Sequence, residues 1–486
     1  MKKLWQSILV FLLFFSIFFI PIIDTDFGWH LRCGQKIFQT GQTCQNNNFS
    51  SLLENYRWFS PAHGYQLLIF QLYDHFGFLG ITFFYAFSAG LILALWLKIL
   101  KGDLYLPLFL TLLATALSWS VFGAGLRSQI ISFYYFILFL IIVKLSLKNL
   151  SWLWFTPLLI LFWVNSHSGF FMGILLYFFV ACQYFYLLLK KKIKTKQFFI
   201  VALIGVINIL VSLLNPYNFS VYQEVWRHWQ TPLNTLILEW VPPGASQFFL
   251  IISLTVIIIV FSFFSKPPLN FFNLLLLLSM AFFALKARRN LCFFYFSAVY
   301  VFMETKPAEI LNRLCCHKEV KQLLLIFFTS LTLIFFIINL SKNLNFNQNN
   351  YYQQALSRLP YPAVDFFKKN LKPGNVFNAY EWGGYLIWQL PEFKVFVDGR
   401  MPSWDTNDEK KLPYLWRGKS PYTIYLEILQ NRPDWQEILD NYRINYLLIG
   451  PGTFMDILLS PAPEKYHYKE VFRDETSVIY QKTDPS

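Results

Sequence analysis

The chain has 486 residues, of which 56% are hydrophobic and only 14% are charged. An average soluble domain is about one-quarter charged, so this composition excludes a disordered chain, a collagen and an ordinary cytosolic enzyme, and it indicates a polytopic membrane protein. Residues 1–339 hold 24 Lys/Arg against 10 Asp/Glu, whereas residues 340–486 hold 17 of each. The net charge of +14 therefore lies entirely in the hydrophobic part. We interpret it as a signal of membrane topology and expect no nucleic-acid partner.

The hydrophobic part contains apolar runs of the kind that cross a bilayer, which takes about 20 residues in a helix. We count eleven, near 4–23, 77–99, 105–122, 129–147, 152–164, 169–189, 198–214, 247–265, 269–286, 290–303 and 321–339. The first resembles a signal peptide, but it is too long for the apolar region of one and lacks a small-residue cleavage site. We expect a retained helix there and about 11 transmembrane helices in a membrane domain of residues 1–339.

The placement of basic residues predicts the orientation. With the N-terminus in the cytoplasm, 16 of the 24 basic residues fall on the cytoplasmic side, and fifteen of these are Lys. The other eight fall outside, and six of them are Arg, whose planar guanidinium suits phosphate or carboxylate. An odd number of helices then places the C-terminal domain outside. We expect a multi-pass protein of the cytoplasmic (plasma) membrane with a cytoplasmic N-terminus, an extracytoplasmic C-terminal domain and lipids as neighbours.

The C-terminal part begins with a polar linker, 340–354, rich in Asn and Gln, and continues as a segment long enough for one domain, 355–486. Its residue pattern predicts strands near 375–379, 394–397, 446–449 and 477–480. Helical patterns lie at 361–370 and 435–441. This alternation of strands and helices predicts a small α/β domain.

Two carboxylates and a histidine open the first outer loop, in Asp24-Thr25-Asp26-Phe27-Gly28-Trp29-His30. Carboxylates beside lipid headgroups are costly to keep, which favours a functional role. The pair can hold a divalent cation such as Mg or Mn between phosphate oxygens, or one carboxylate can act as a general base. His30 can also accept a proton. The alternative is a solvated helix cap, because Asp is a good N-cap residue.

Further polar residues follow helix ends that the predicted topology places on the same outer face. They are Arg127, His167, Glu239, Arg288 and Arg289. Two adjacent outer arginines oppose the positive-inside bias, which favours an anionic ligand such as a lipid-linked phosphate or diphosphate. The structural alternatives are a capping or packing role for His167 and contact of the arginines with lipid headgroups.

The segment from Tyr380 to Arg400 carries the densest chemistry of the C-terminal domain. We expect a strand, a Gly-Gly turn at a helix start, and a second strand that ends at Asp398, so that loops at strand ends carry a site. In this hypothesis Glu381 and Asp398 lie near each other with Arg400 as a partner. Aromatic rings that can stack on a sugar face are Trp382, Tyr385 and Trp404. The alternative is a core segment with a buried salt bridge.

Six cysteines occur, and only Cys33 and Cys44 share the first outer loop. They can form a disulfide in an oxidising compartment or remain two free thiols. The spacing of the six matches no zinc site.

These pieces together resemble the GT-C glycosyltransferase superfamily in bacterial polytopic proteins. Members use lipid-phosphate-linked sugars as donors and combine a multi-helix membrane domain with an Asp-x-Asp-like motif in the first outer loop. Many carry an outer C-terminal α/β domain. Asp24-Thr25-Asp26 is placed like that motif. Segments similar to those of a group of predicted members are Asp24–Leu31, Trp163–Phe170, Leu214–Tyr217, Ala287–Asn290 and Tyr380–Tyr385.

The last of these segments is also loosely similar to the Trp-Trp-Asp-Tyr-Gly motif of oligosaccharyltransferase catalytic subunits. Here Tyr380-Glu381-Trp382-Gly383-Gly384 keeps an acid and a glycine but not the order of the aromatic residues. The resemblance implies a membrane glycosyltransferase that moves a sugar from a polyprenyl-phosphate-linked donor to an extracytoplasmic glycan, lipid or protein acceptor.

We expect Asp24, Asp26 and His30 to be catalytic and Arg127, Arg288 and Arg289 to hold the donor phosphate. The different-class alternative is a non-catalytic membrane protein that binds lipid or an envelope partner through its outer domain.

Overall fold

The computed structural model describes residues 2–230, 237–265, 268–315, 317–344 and 359–483. It consists of two compact units. The first, here the helical unit, comprises Met1–Ile22, Phe76–Phe219 and Ile237–Phe346, and the second, here the sheet unit, comprises Ile23–His75, Ser220–Leu236 and Asn347–Ser486. This division differs from the boundary predicted near residue 339, because the first outer loop belongs to the same compact unit as the C-terminal residues. Most of the predicted linker, from residue 345 onward, lies outside the described residues.

Each of the eleven predicted apolar runs contains α-helix, although the run at 4–23 is helical only to Phe18 and the run at 105–122 is divided between two helices. The described α-helices up to the linker are α1 (Lys2–Phe18), α2 (Phe27–Thr40), α3 (His63–Ile99), α4 (Tyr105–Leu117), α5 (Trp119–Phe122), α6 (Ser128–Ser146), α7 (Phe155–Val164), α8 (Phe170–Leu189), α9 (Thr195–Ser212), α10 (Ser220–Gln230), α11 (Ala245–Phe263), α12 (Phe271–Lys286), α13 (Leu291–Phe302), α14 (Lys306–Cys315) and α15 (Lys318–Leu344). Helices α2 and α10 lie in the sheet unit, and α3 contributes to both units. Six of the described helices are long and apolar enough to cross a membrane. The chain is therefore a multi-pass membrane protein, and the number of crossings stays a prediction.

Burial within the helical unit separates a central helix from outer ones. Along α13, every residue from Leu291 to Val301 is buried. On α11 and α15, by contrast, large apolar side chains such as Phe249 (68% exposed) and Ile326 (64% exposed) point away from the protein. A helix that is apolar all round is buried in protein or lipid, so these outer faces are suited to contact acyl chains.

Among the residues described after the linker, the sheet unit has five strands and five α-helices. They are α16 (Tyr361–Asn370), β1 (Asn375–Asn378), α17 (Gly383–Gln389), β2 (Lys394–Val395), α18 (Pro421–Leu429), α19 (Trp435–Asn441), β3 (Ile444–Ile449), α20 (Phe454–Leu459), β4 (Tyr468–Arg473) and β5 (Val478–Lys482). The strand order is β2-β1-β3-β5-β4, with β1 parallel to both of its neighbours and β5 antiparallel to both of its own. The predicted α/β class is confirmed. Strand β4 was not predicted, because charged residues such as Lys469 and Glu470 interrupt its apolar pattern at the sheet edge.

The first outer loop extends this sheet at its other edge. Ser51 N donates to Val395 O (2.8 Å) and Val395 N donates to Phe49 O (3.0 Å), so a short stretch of the loop pairs with β2. Cys33 and Cys44 form a disulfide across the start of the loop, with their Cα atoms 5.7 Å apart. The loop and the C-terminal residues thus form one folded body although roughly 300 residues separate them in sequence.

Candidate functional site

The start of α2 packs against the start of α17 through glycine backbones. A Cβ placed on Gly28 would lie 2.1 Å from Gly384 O, and one placed on Gly384 would lie 2.4 Å from Thr25 O. Real Cβ atoms do not approach backbone oxygens this closely, so both positions need glycine. The Asp24-Thr25-Asp26 motif is thereby held on the Gly383-Gly384 turn.

Asp24 and Asp26 are both half-buried and lie next to each other. Asp26 N is 3.3 Å from Asp24 Oδ1 and donates a hydrogen bond to it. Asp26 precedes α2, yet its side chain makes no capping hydrogen bond to the helix. A Cβ on Gly399 would lie 1.8 Å from Asp26 Oδ1, so this carboxylate lies against the loop that follows β2. The helix-cap interpretation therefore does not account for the Asp26 side chain.

His30 lies deeper in the sheet unit than the two carboxylates and is only 5% exposed. Its ring stacks on Trp29 at 3.5 Å between centroids and meets the edge of Tyr65. Nδ1 is 3.3 Å from the Gln66 Nε2 amide, a donor, so the neutral ring carries its proton on Nε2. The structure places this predicted catalytic residue in a packed aromatic environment.

Asp398 and Arg400 form a fully buried ion pair, which changes the predicted role of this segment. Arg400 Nε donates to Asp398 Oδ1 and Nη2 donates to Oδ2, both at 2.7 Å. Ser50 Oγ and Asn47 Oδ1 accept further hydrogen bonds from Nη2, at 2.8 and 3.0 Å. The guanidinium also lies over the ring of Phe49, 5.1 Å from its centroid. Arg400 thus ties the first outer loop to the C-terminal residues and offers no exposed surface to a ligand.

Arg400 pairs with Asp398 in the interior of the sheet unit, as the buried-salt-bridge alternative expects, whereas Glu381 is exposed with no ion pair among the described residues. Two of the rings predicted to stack on a sugar are covered as well. Tyr385 and Trp404 are each 3% exposed, and Trp404 is stacked on Tyr56. Trp382 is buried too, at 7% exposure. These rings fill space between elements, as the core-packing alternative expects.

The helical unit brings a second group of predicted residues together. Arg127 Nη1 donates to Glu239 Oε2 at 2.7 Å, and both side chains are partly exposed. Burial raises the pKa of Glu239, but the positive charges of Arg127 and Arg289 outweigh it, so the net pKa lies below its usual value. His167 is close enough to contribute to the same lowering. Glu239 is therefore an ionised carboxylate among basic groups.

The two adjacent arginines have different surroundings. The Arg289 guanidinium lies over Trp240, 4.3 Å from the ring centroid, and Gln129 Nε2 donates to the Arg289 carbonyl at 2.6 Å. Arg288 Nε donates to Pro242 O at 3.2 Å.

A short hydrogen-bond chain orients His167. Trp163 Nε1 donates to Ser132 Oγ, and Ser132 Oγ lies 2.7 Å from His167 Nδ1. Gly169 N also donates to Nδ1, at 2.9 Å, which assigns the proton of the neutral ring to Nε2. Trp163, His167 and Gly169 lie in one of the segments that resemble those of predicted GT-C members. The hydrogen bonds to Ser132 and His167 account for the spacing of these three residues.

Sequence reasoning missed several residues that position these groups. They are Asn47, Phe49, Ser50, Gln129, Ser132 and Trp240. Trp240 adjoins Glu239 and Gln129 follows Arg127 by two positions, so proximity to a predicted residue was a usable signal for both. Asn47 and Ser50 lie in a polar loop stretch with no pattern that separates them from their neighbours.

Among the described residues no three His, Cys, Asp or Glu side chains form a group that can hold a metal ion. The Asp24-Thr25-Asp26 segment supplies two carboxylates and no third ligand of this kind among the described residues. Such a pair fits Mg²⁺ or Mn²⁺ bound jointly with phosphate oxygens and water, because Mg²⁺ usually retains waters and uses one or two carboxylates. It does not fit a site built from protein ligands only.

No protein-family model matches the chain, and no curated protein matches it in sequence. Solved structures do match in fold. The archaeal oligosaccharyltransferase AglB from Archaeoglobus fulgidus, in complex with an inhibitory peptide and a dolichol-phosphate, is 12% identical with a TM-score of 0.62, over 99% of this chain and 74% of that one. ArnT from Cupriavidus metallidurans bound to undecaprenyl phosphate is 11% identical with a TM-score of 0.57, over 100% of this chain and 99% of that one.

The fold is therefore that of these two solved structures, the oligosaccharyltransferase AglB and ArnT. The likeness extends over the helical unit and the sheet unit, because nearly the whole chain is covered. Another crystal structure of the Archaeoglobus fulgidus enzyme, also similar in fold (TM-score 0.56, 13% identity, 98% of this chain and 73% of that one), is a complex with Zn and sulfate. The predicted GT-C resemblance is confirmed at the level of fold.

Proposed function

We propose that this protein transfers a sugar from a polyprenyl-phosphate-linked donor to an acceptor outside the cytoplasm. The observation that carries the proposal is the arginine cluster of the helical unit, Arg127, Arg288 and Arg289, with the single carboxylate of Glu239. The cluster keeps a net positive charge, which suits a phosphate or diphosphate. Fold neighbours bound to a dolichol-phosphate and to undecaprenyl phosphate support this choice of ligand.

In this proposal the arginines bind the donor phosphate and stabilise the negative charge that develops on it as the bond to the sugar breaks. Preorganised charges of this kind usually supply the largest single contribution to catalysis. Glu239 fixes the Arg127 guanidinium through a charge-assisted hydrogen bond, and Trp240 fixes that of Arg289 by stacking. His167, oriented by Ser132 and Gly169, completes this group with its Nε2–H as a donor.

The carboxylates of the first outer loop have the other role. Asp26 acts as general base on the acceptor hydroxyl, and Asp24 orients it by accepting the Asp26 N–H. As an alternative to the base role, Asp24 and Asp26 would hold a divalent cation when one is bound, and the cation would act as a Lewis acid toward phosphate oxygens. Glu381, exposed after β1, contributes to acceptor binding, while Asp398 and Arg400 support it from the interior of the sheet unit.

The test is sugar transfer from radiolabelled polyprenyl-phosphate sugars in membranes, with wild type compared with Asp26→Asn. We expect the variant to lose transfer by about a hundredfold or more, the contribution typical of a general base. Asp408→Asn is the matched control, because Asp408 is an exposed aspartate of the same unit outside the proposed site. Transfer by Asp26→Asn at the wild-type rate would contradict the proposal and favour a non-catalytic lipid- or envelope-binding protein.

A further inference from the structure

The strand connections of the sheet unit diverge at one place. From β1 the chain runs through α17 to β2 on one side, whereas β3 lies on the other side of β1 and continues toward β5 and β4. Strands β1 and β3 are parallel, with Asn378 level with Leu448, so their carboxyl ends lie side by side. In open α/β sheets, ligands bind outside the carboxyl ends of strands whose connections leave in opposite directions.

A cavity of about 480 Å³ lies at this point. Its lining includes Ala379 and Gly450, the first residues after β1 and β3, so the cavity opens directly at the two strand ends. Its volume falls within the range of about 300–1,000 Å³ that is usual for small-molecule sites. All of its lining residues belong to the sheet unit.

The walls of this cavity combine aromatic rings with negative charge. Tyr380 and Tyr422 meet edge to face at 4.8 Å between centroids, and Tyr425 follows beside them. Two carboxylates, Glu381 and Glu475, line the cavity and are exposed, and among the described residues neither forms an ion pair. No Lys or Arg occurs among the described lining residues.

The phenols of Tyr422 and Tyr425 stay protonated. Burial, with smaller contributions that include the charge of Glu381, raises the pKa of Tyr425 to about 12. The pKa of Tyr422 is also raised, by burial and by the same carboxylate. The cavity therefore offers aromatic rings and two carboxylates, with no cation among its described lining residues.

We infer that this cavity binds a cationic ligand whose body is a ring with apolar faces, such as a sugar that carries a protonated amine. The amine would pair with Glu381 and Glu475, and the rings of Tyr380 and Tyr422 would contact the body of the ligand, since aromatic faces attract cations and pack against apolar surface. An anionic ligand is disfavoured because it would meet two carboxylates with no compensating charge. The inference rests on the proposed function in one respect, which is that the ligand of the cavity is the acceptor of the sugar transfer. Ligand binding to the cavity is measured without any sugar donor.

The experiment is a saturation-transfer NMR titration of the purified full-length protein in detergent at pH 6.5. Glucosamine is the probe, and N-acetylglucosamine, which has a similar ring but no charged amine, is the comparison. We expect glucosamine to bind at least about tenfold more tightly and Glu381→Gln to weaken it by about tenfold or more, as for the loss of a charge-assisted hydrogen bond. Glu437→Gln, an exposed glutamate outside the cavity, should bind glucosamine like wild type.

Equal binding of the two sugars by wild type would overturn the inference. So would unchanged glucosamine binding by the Glu381→Gln, Glu475→Gln double variant, whose thermal unfolding should match wild type because both side chains are exposed. Loss of transfer in Asp26→Asn with normal glucosamine binding supports both proposals. If wild type transfers sugar from the donor but does not bind glucosamine, this inference alone is wrong. If wild type binds glucosamine but transfers no sugar, the proposed function alone is wrong.

Discussion

Gly399 leaves the space that the Asp26 carboxylate occupies. A Cβ at position 399 would lie 1.8 Å from Asp26 Oδ1 and 2.7 Å from Asp26 Cγ. The contact joins the first outer loop to the Asp398-Gly399-Arg400 turn, and the buried Asp398–Arg400 pair holds that turn in place. The glycine therefore determines where a proposed catalytic carboxylate can lie.

We expect Gly399→Ala to reduce sugar transfer by about a hundredfold while the protein stays folded. The added methyl group must displace the Asp26 side chain, and a shift of about 1 Å in a catalytic group can cost a hundredfold in rate. Overpacking by one methyl group costs about 1–3 kcal/mol of stability. The measurement is the transfer rate together with thermal unfolding of the purified variant.

The control for this substitution is Gly244→Ala, since a Cβ at Gly244 meets no atom within 4 Å. Gly384→Ala provides the opposite comparison, because its Cβ would meet the Thr25 backbone oxygen at 2.4 Å and must therefore move the chain. We expect it to lower the melting temperature more than Gly399→Ala does. Full transfer activity in Gly399→Ala would show that the position of Asp26 is unimportant.

Arg289→Ala should weaken binding of a polyprenyl-phosphate analogue by about tenfold or more, the loss of a charge-assisted hydrogen bond. Its stability should fall by about 1 kcal/mol, because the variant loses the contact with Trp240 and the attraction to Glu239. Arg288→Ala should weaken binding similarly. Calorimetric titration of the purified protein with the analogue measures both.

Arg313→Ala is the matched control for the arginine variants, because Arg313 is 77% exposed and pairs with Glu309 one helical turn away. It removes the same charge from the helical unit at a position outside the proposed phosphate site. Wild-type affinity in both Arg288→Ala and Arg289→Ala would disprove the phosphate role.

The Cys33–Cys44 disulfide provides a test of orientation. Disulfides persist in oxidising compartments, so we expect both thiols to resist alkylation in denatured whole-cell extracts until a reductant is added. Cys182, which is free, should react without reductant. Closing this short loop contributes about 3 kcal/mol, so Cys33→Ser should also lower the melting temperature. Alkylation of Cys33 and Cys44 without reductant, or a reporter fused after Ser486 that is active only in the cytoplasm, would contradict an extracytoplasmic sheet unit.

Asp456 should make the stability of the sheet unit depend on acid pH. Its carboxylate accepts from Tyr480 Oη at 2.6 Å and from Arg473 Nη2 at 2.8 Å. Burial raises its pKa, but these hydrogen bonds and the Arg473 charge outweigh burial, so its net pKa is below the ordinary value. The stabilisation is then fully present above the unfolded-state pKa of about 4 and is lost as the pH falls through the folded-state pKa.

We therefore expect Asp456→Asn to lower stability by about 1–3 kcal/mol at pH 7 and by progressively less below about pH 4. Thermal unfolding of both proteins across this pH range measures the difference. Asp434→Asn, at an exposed aspartate of the same unit, should show no such convergence. A difference from wild type that stays constant down to the lowest pH would mean that the Asp456 charge is not the stabilising feature.

The membrane helices and the α/β class follow from local sequence. A run of about 20 apolar residues has few alternatives to a membrane helix, and the alternation of short apolar strands with helices specifies an α/β layer. Helices α16 and α19 begin and end where the pattern predicts. The edge strand β4 was missed because one face of it is solvated, so its residues carry no continuous apolar signal.

The sequence by itself also determined which residue types carry the chemistry: the paired aspartates, the outer arginines and the acid beside the Gly-Gly turn. Only the tertiary structure decided their partners. Arg400 pairs with Asp398 and not with Glu381. Arg400 and Asp398 are both buried, where an unpaired charge is costly, whereas Glu381 is exposed. Asp26 meets Gly399 across more than 370 positions, and contacts so distant in sequence arise from packing. No local sequence pattern encodes the contact between Asp26 and Gly399, because only the folded chain brings these two residues together.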